Sequence, residues 1–289
     1  MNKQWLTAAI AVVLSGVATP AAAQWNGFYL GGFAGLMLQN GDHDETVTFD
    51  TDLDEEFGDT VRTITGANVF SPGFCPGVAS GPTPASECAD DESGFVLGGR
   101  VGYDAYAGQV ILGVVGDLTF PEAVDSVSAF STTPAFYTFT RDLHRLAGLR
   151  GRIGAGNDHL LAYATGGLAL GWIDHTFATS NVVNTFVRPE SANDDEDEDD
   201  DDEDGNVDRD AAWGYQVGAG VELWIANNVA ISAEYMYTTL VDRDDGLVRA
   251  QGPAPPTNPF LLDNPLGTDL RRSDNFAFHA ITVGVVYRF

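Results

Sequence analysis

Past residue 24 the chain alternates apolar and polar positions in eight stretches, and the phase of that alternation predicts strands. They run Trp25 to Leu38, Gly94 to Tyr106, Gln109 to Phe120, Leu143 to Gly156, His159 to Ile173, Trp213 to Ala226, Val229 to Leu240 and Phe276 to Phe289. Successive side chains of a strand point to opposite faces, so each stretch splits into two rows. In the last one Ile281, Val283, Val285, Tyr287 and Phe289 share a row, and Ala280, Thr282, Gly284 and Arg288 share the other. The same split sets Val110, Leu112, Val114 and Leu118 against Asp117, and Ala147, Leu149 and Ile153 against Arg150 and Arg152. It sets Val217, Val221, Leu223 and Ile225 against Gln216 and Glu222, and Val229, Ile231, Tyr235 and Tyr237 against Ser232 and Glu234. Arg100 and Asp104 fall together opposite Leu97, Val101 and Tyr103. Every stretch exceeds the roughly 9 to 11 residues that a tilted strand needs to cross hydrocarbon. One aliphatic row and one charged row are what lipid on one side and a polar lumen on the other demand. Of the charged residues in these stretches, Arg145 alone takes the lipid phase, at a rim where its long stem can reach water.

The connections alternate in length. Ala107-Gly108, Asn157-Asp158 and Asn227-Asn228 are tight and rich in residues that tolerate hairpin geometry. Segments 39–93, 121–142, 174–212 and 241–275 are long. Short turns on one side and long loops on the other predict an all-β fold: an eight-stranded antiparallel up-and-down transmembrane barrel, residues 24–289. An even strand count places both termini in the periplasm and the long loops outside the cell. Trp172 and Trp213 near the loop side, with Tyr287 and Phe289 at the other, suit the two interfacial girdles of such a barrel.

Charge sharpens this map. The 289 residues hold 14 Lys+Arg against 42 Asp+Glu, a net −28, which excludes ordinary nucleic-acid binding for want of clustered cations. Thirty-seven of the 42 acids fall in the four long loops, so the acid belongs to one end of the molecule. A mean hydropathy of −0.07 excludes a polytopic helical membrane protein but not a barrel, whose faces average out. Lys3, the apolar stretch Leu6 to Ala18 and the small residues ending at Ala23 read as a signal peptide over 1–23. Export to an oxidising compartment predicts a disulfide between Cys75 and Cys88.

Several motifs carry a family resemblance. They are Gly-Phe-Tyr-Leu-Gly-Gly at 27–32, Gly-Gly-Arg-Val-Gly-Tyr at 98–103, Leu-Arg-Gly-Arg-Ile-Gly at 149–154, Tyr-Ala-Thr-Gly-Gly at 163–167 and the terminal Val-Gly-Val-Val-Tyr-Arg-Phe. Together they resemble the small outer-membrane β-barrel proteins of the OmpA-like and opacity-protein type. The resemblance covers the strands and none of the long loops. It implies a Gram-negative outer membrane, contact with membrane lipid and lipopolysaccharide, and a structural or surface role. It also implies that Val283, Val285, Tyr287 and Phe289 form the signal read by the barrel-assembly machinery.

Candidate chemistry is sparse. Arg100, Asp104, Asp117, Arg150, Arg152, Glu222, Glu234 and Arg288 all point into a lumen just wide enough for side chains to fill. Paired, they plug it; as a gated path, they make a small ion-conducting porin. The unbroken acidic run Asp194 to Asp204 repels itself into solvent. Within it Asp200, Asp202 and Asp204, with Asp208 beyond, match the opening of a Ca²⁺ loop, although Ala211 stands where a bidentate Glu is needed. That makes Ca²⁺ the one cofactor to consider, and a cation-binding or adhesive role through 194–208 an alternative reading. Ser does not follow any of the five histidines at the i+2 spacing of the barrel-type lipid A deacylases, and no Gly-x-Ser-x-Gly elbow occurs, so no enzyme is expected.

Overall fold

A computed structural model describes residues 25–39, 45–91, 94–107, 110–189, 207–242, 246–252, 257–273 and 275–289. The predicted signal peptide and the acidic run that contains Asp200, Asp202 and Asp204 lie outside these. In chain order the strands are β1 (Gly27–Gln39), β2 (Val47–Asp50), β3 (Gly73–Pro76), β4 (Val78–Ala79), β5 (Cys88–Ala89), β6 (Phe95–Ala107), β7 (Val110–Pro121) and β8 (Ala123–Ser131). There follow β9 (Ala135–Gly156), β10 (Leu160–Thr179), β11 (Thr185–Val187), β12 (Val207–Ala226), β13 (Val229–Leu240), β14 (Val248–Gln251), β15 (Thr268–Arg272) and β16 (Phe276–Arg288).

Eight of them close a barrel, in the order β1-β6-β7-β9-β10-β12-β13-β16, with β16 returning to β1. All pairings are antiparallel. Closure is forced by the solvent, since hydrocarbon offers no partner for an unpaired edge. The predicted phases hold: Leu97, Val114, Leu149, Val217, Leu223, Ile231 and Val283 are exposed on the outer wall, whereas Arg100, Arg150, Arg152, Glu222, Glu234 and Arg288 are buried inside. The tight turns behave as their residues suggest. Asn228 takes φ +66°, and the Asn157 side chain accepts the N–H groups of His159 and Leu160, both at 2.9 Å.

The bounds differ on the loop side. Strands β9, β10 and β12 do not stop at the membrane rim; the β9–β10 ladder continues to Thr179↔Tyr137, and the β10–β12 ladder to Thr176↔Val207. Trp172 and Trp213 therefore stand at the collar of these strands and not at their ends. A bulge where Trp172 faces Arg145 and Ile173 faces Leu143 inserts one extra residue, so that His144 and Arg145 both point outward.

Above the rim, parts of all four long loops fold into a head. β8 pairs with the extension of β9, and β3 pairs with β8. A separate sheet, in the order β11-β14-β15-β2, draws its strands from three loops. The two sheets enclose an apolar core that includes Val127, Ala129, Tyr137 and Phe139 from the extended wall and Val47, Phe49, Val248 and Leu270 from the separate sheet. Phe70 stacks on Phe49 at 4.3 Å and meets Tyr137 edge-on at 5.2 Å. Burial of such side chains contributes about 1.5 to 3 kcal/mol each, enough to order an acidic region that composition alone would leave solvated. Cys75 and Cys88 are joined as expected, closing the arm that carries β3 to β5.

This arrangement predicts the effect of charge on the outer wall. Leu223→Arg or Val283→Arg should destabilise the barrel in lipid vesicles by roughly 2 to 4 kcal/mol. The same change at Ile64, exposed in the head, should cost no more than about 0.5 kcal/mol. Urea refolding curves measure both, and equal tolerance at the three positions would refute the outward assignment.

Candidate functional site

Eight strands leave little interior, and the lumenal side chains fill it in layers. At the turn side Trp25 closes the floor with Ile111 and Leu161, its indole N–H donating to the Asn157 carbonyl at 2.8 Å. Above it lies a first quartet of charges. Arg288 reaches Asp104 at 2.8 Å and Glu222 at 2.7 Å, while Arg152 reaches Glu222 at 2.7 Å and Asp104 at 3.3 Å. A second quartet follows: Arg150 pairs with Asp117 at 2.8 Å and Glu234 at 3.3 Å, and Arg100 with Glu234 at 3.1 Å. Register sets Arg100 and Asp117 at one level of the barrel, directly across from each other on the β6–β7 ladder. All eight predicted charges are thus brought together, four of each sign.

Aromatic rings complete both quartets. Tyr163 donates its hydroxyl to Glu234 at 2.7 Å and lies under the Arg152 guanidinium at 4.0 Å, which links one quartet to the other. Tyr29 lies under Arg288 and Arg152, and Phe33 under Arg100 at 4.5 Å. Such cation–π contacts strengthen when water is excluded. Two glycines make the room, for a Cβ at Gly102 would strike the Tyr29 ring and one at Gly113 the Asp104 carboxylate. No motif marks these rings as partners of the arginines, and the alternation as read gave them no row. Between the upper quartet and the next layer a void of about 30 Å³, bordered by Asp117, Arg150 and Gln216, has room for about one water.

Over the quartets sits an apolar layer that includes Met37, Leu143, Leu146, Ile173, Leu240, Phe276 and Phe278. Beyond it, where the head begins, a second ionic cluster draws on every long loop. Arg141 on β9 binds Asp125 on β8 and reaches Asp242, after β13, at 3.2 Å. Asp242 also meets His175 on β10 at 3.1 Å. Arg272 on β15 reaches Asp125 at 3.0 Å and Glu45, before β2, at 3.1 Å. The sequence gives no sign of this cluster, because its members are far apart along the chain and follow no period.

Further out, Asp50, Asp52 and Asp59 bring carboxylate oxygens within 4.8 Å of one another. Asp50 already accepts the N–H groups of Leu53 at 2.7 Å and Glu55 at 2.8 Å, and Asp59 accepts that of Thr51 at 2.9 Å, so these carboxylates shape their own loop. Asp208 is the second residue of β12, and the other predicted Ca²⁺ ligands, Asp200, Asp202 and Asp204, lie outside the described residues. Val283, Val285, Tyr287 and Phe289 face outward at the C-terminal end, and Tyr287 packs edge-on against Phe289 at 5.0 Å.

Residues 7–289 match the family described as outer membrane protein beta-barrel domain. The chain belongs to that family. Its location is accordingly the outer membrane of a Gram-negative cell. This family member is 29% identical over 156 residues to the 22 kDa outer membrane protein of Rhizobium leguminosarum bv. viciae, a match spanning 53% of the chain and 57% of that relative. The chain thus spans little more than half the length of the curated relative it matches. Among solved structures, OprG from Pseudomonas aeruginosa aligns at 12% identity over 93% of the chain and 99% of its own, with a TM-score of 0.39. The outer membrane protease OmpT from Escherichia coli aligns at 10% identity over 95% and 99%, with a TM-score of 0.38.

The paired lumen makes a stability prediction for this family member. Glu222→Gln keeps the shape of the side chain but removes a charge shared by Arg152 and Arg288, and should cost roughly 3 to 5 kcal/mol. Glu122→Gln, exposed at the rim, should cost almost nothing. Urea midpoints of the refolded barrel separate the two; equal midpoints would show that the lumenal pairs carry no weight.

Proposed function

We propose that this chain is a closed, non-enzymatic barrel that serves as a scaffold, with its termini in the periplasm and its head exposed to the medium, where it supports envelope integrity and surface contact. One observation carries the reading. The lumen holds as many arginines as carboxylates, each engaged, between an indole floor and an apolar lid. An ion on that path would have to part buried pairs and leave charges uncompensated in a confined space, where removing one partner costs several kcal/mol. Its partners on this reading are outer-membrane lipid and lipopolysaccharide along the exposed aliphatic wall, and the assembly machinery during biogenesis.

Planar-bilayer recording with the refolded mature chain, residues 24–289, tests the proposal. Folded, inserted protein is expected to be silent, and Arg150→Gln or Glu222→Gln is expected to raise leakage by loosening the plug. Stable, ion-selective steps from the unaltered chain would make it a porin and overturn the scaffold reading.

A further inference from the structure

Among the described residues the two ionic layers place their carboxylates differently. The lumenal quartets set four arginines against four carboxylates. At the junction with the head, Arg141 and Arg272 face Glu45, Asp125 and Asp242, and a fourth carboxylate, Asp91, closes on them from the disulfide-bridged arm. One oxygen each of Glu45, Asp91 and Asp125 lie within 4.8 Å of one another. Asp91 thereby brings a second carboxylate against Asp125, and two carboxylates sharing one site disfavour the second charge. A proton is the simplest remedy.

Asp91 is placed to carry it. Its carboxyl accepts the Ser126 N–H at 3.0 and 3.1 Å, on the same strand as Asp125. Its other side borders an open groove of about 750 Å³, lined also by Asp90, Glu122, Asp142 and His144, which gives water and protons access. The arm is otherwise docked on β8 by few contacts: the β3–β8 pairing, the Gly77 N–H on the Ser126 carbonyl at 2.6 Å, and Ser128 bonded to both Gly77 and Ala79. We propose that Asp91 and Asp125 form a proton-operated latch, which holds the disulfide-bridged arm, residues 73–91, against β8 when one proton is shared between them and releases it when both are ionised.

Around the pair, Arg272 and Arg141 favour ionisation, while Glu45, Asp242 and the groove acids oppose it, and His175 lies behind Asp242. Burial, with the Asp125 charge behind it, pushes the Asp91 carboxyl from the ordinary 3.8 up to about 6 against the Ser126 bond and Arg272. Asp125 goes the other way, since Arg141 and Arg272 outweigh its burial and hold it low. The docked arm therefore keeps a proton that the undocked arm gives up. Docking is strongest below about pH 4, weakens as pH rises, and has lost this contribution once pH passes about 6. Holding a proton over that whole range caps the effect near 100-fold; the part that falls between pH 5 and pH 8 is about tenfold, and screening of a carboxyl open to the groove lowers it to a few-fold.

Hydrogen-exchange mass spectrometry of the refolded full-length mature chain in EDTA reads this directly. The opening equilibrium of amides in 73–79, corrected for intrinsic exchange, should be a few-fold larger at pH 8 than at pH 5, and no more than about tenfold. Asp91→Asn keeps an acceptor for Ser126 but cannot ionise, so the arm should stay docked at both values; Asp90→Asn should leave the wild-type dependence intact. A flat wild-type profile would overturn the proposal, as would a change of the wild-type size that survives in Asp91→Asn.

Discussion

Inside hydrocarbon a backbone N–H or C=O has no water to fall back on, and the rest of this structure follows from that constraint. A strand cannot cross the membrane with an open edge, so eight strands close on themselves and every ladder is paired. Closure fixes the two-sided alternation, which dictates aliphatic side chains outward and places arginines and carboxylates inward. With only eight strands the interior is too narrow for water to solvate those charges. They satisfy one another instead, and the barrel fills itself. The closed lumen is a consequence of strand number and alternation before it is a matter of function.

The parts of the fold governed by that constraint were readable in the sequence. Each lipid-facing row announces itself because lipid selects residue by residue, without regard to what a neighbouring strand does. The rows through Val283 and Leu223 needed no knowledge of their partners. The eight lumenal charges were recovered as the complement of those rows, although which arginine meets which carboxylate depends on shear and register and was not. The bulge beside Arg145 also escaped, because one inserted residue mimics a continued alternation when read from either side.

The head was illegible for the opposite reason. Above the rim, water competes for every backbone group, and short strands such as Val47–Asp50 and Thr268–Arg272 are stabilised by each other and by a shared core, not by their surroundings. Nothing local distinguishes Val47–Asp50 from the acidic residues that follow it. High net charge argues against packing in these segments, yet charge density measures repulsion averaged over a segment. Apolar residues that meet only after folding, such as Phe49, Phe70 and Tyr137, outweigh it. Composition was a fair guide to which end of the molecule is acidic and a poor guide to whether that end is folded.

The apolar layer between the two ionic systems gives each its independence. Met37, Leu146, Ile173, Leu240 and Phe278 span the barrel mouth between the balanced quartets below and the carboxylate-rich cluster above. Contact networks separated in this way are expected to respond additively, with a change in one leaving the other's pairing intact. That separation lets one chain combine a lumen whose charges are locked in pairs with a head junction whose charge depends on its surroundings. A barrel lacking the layer would have to balance all of its buried charge as one system, and any proton gained or lost at the head would be felt in the membrane-spanning wall. Here the wall is insulated from the medium not only by lipid outside but by hydrocarbon side chains within.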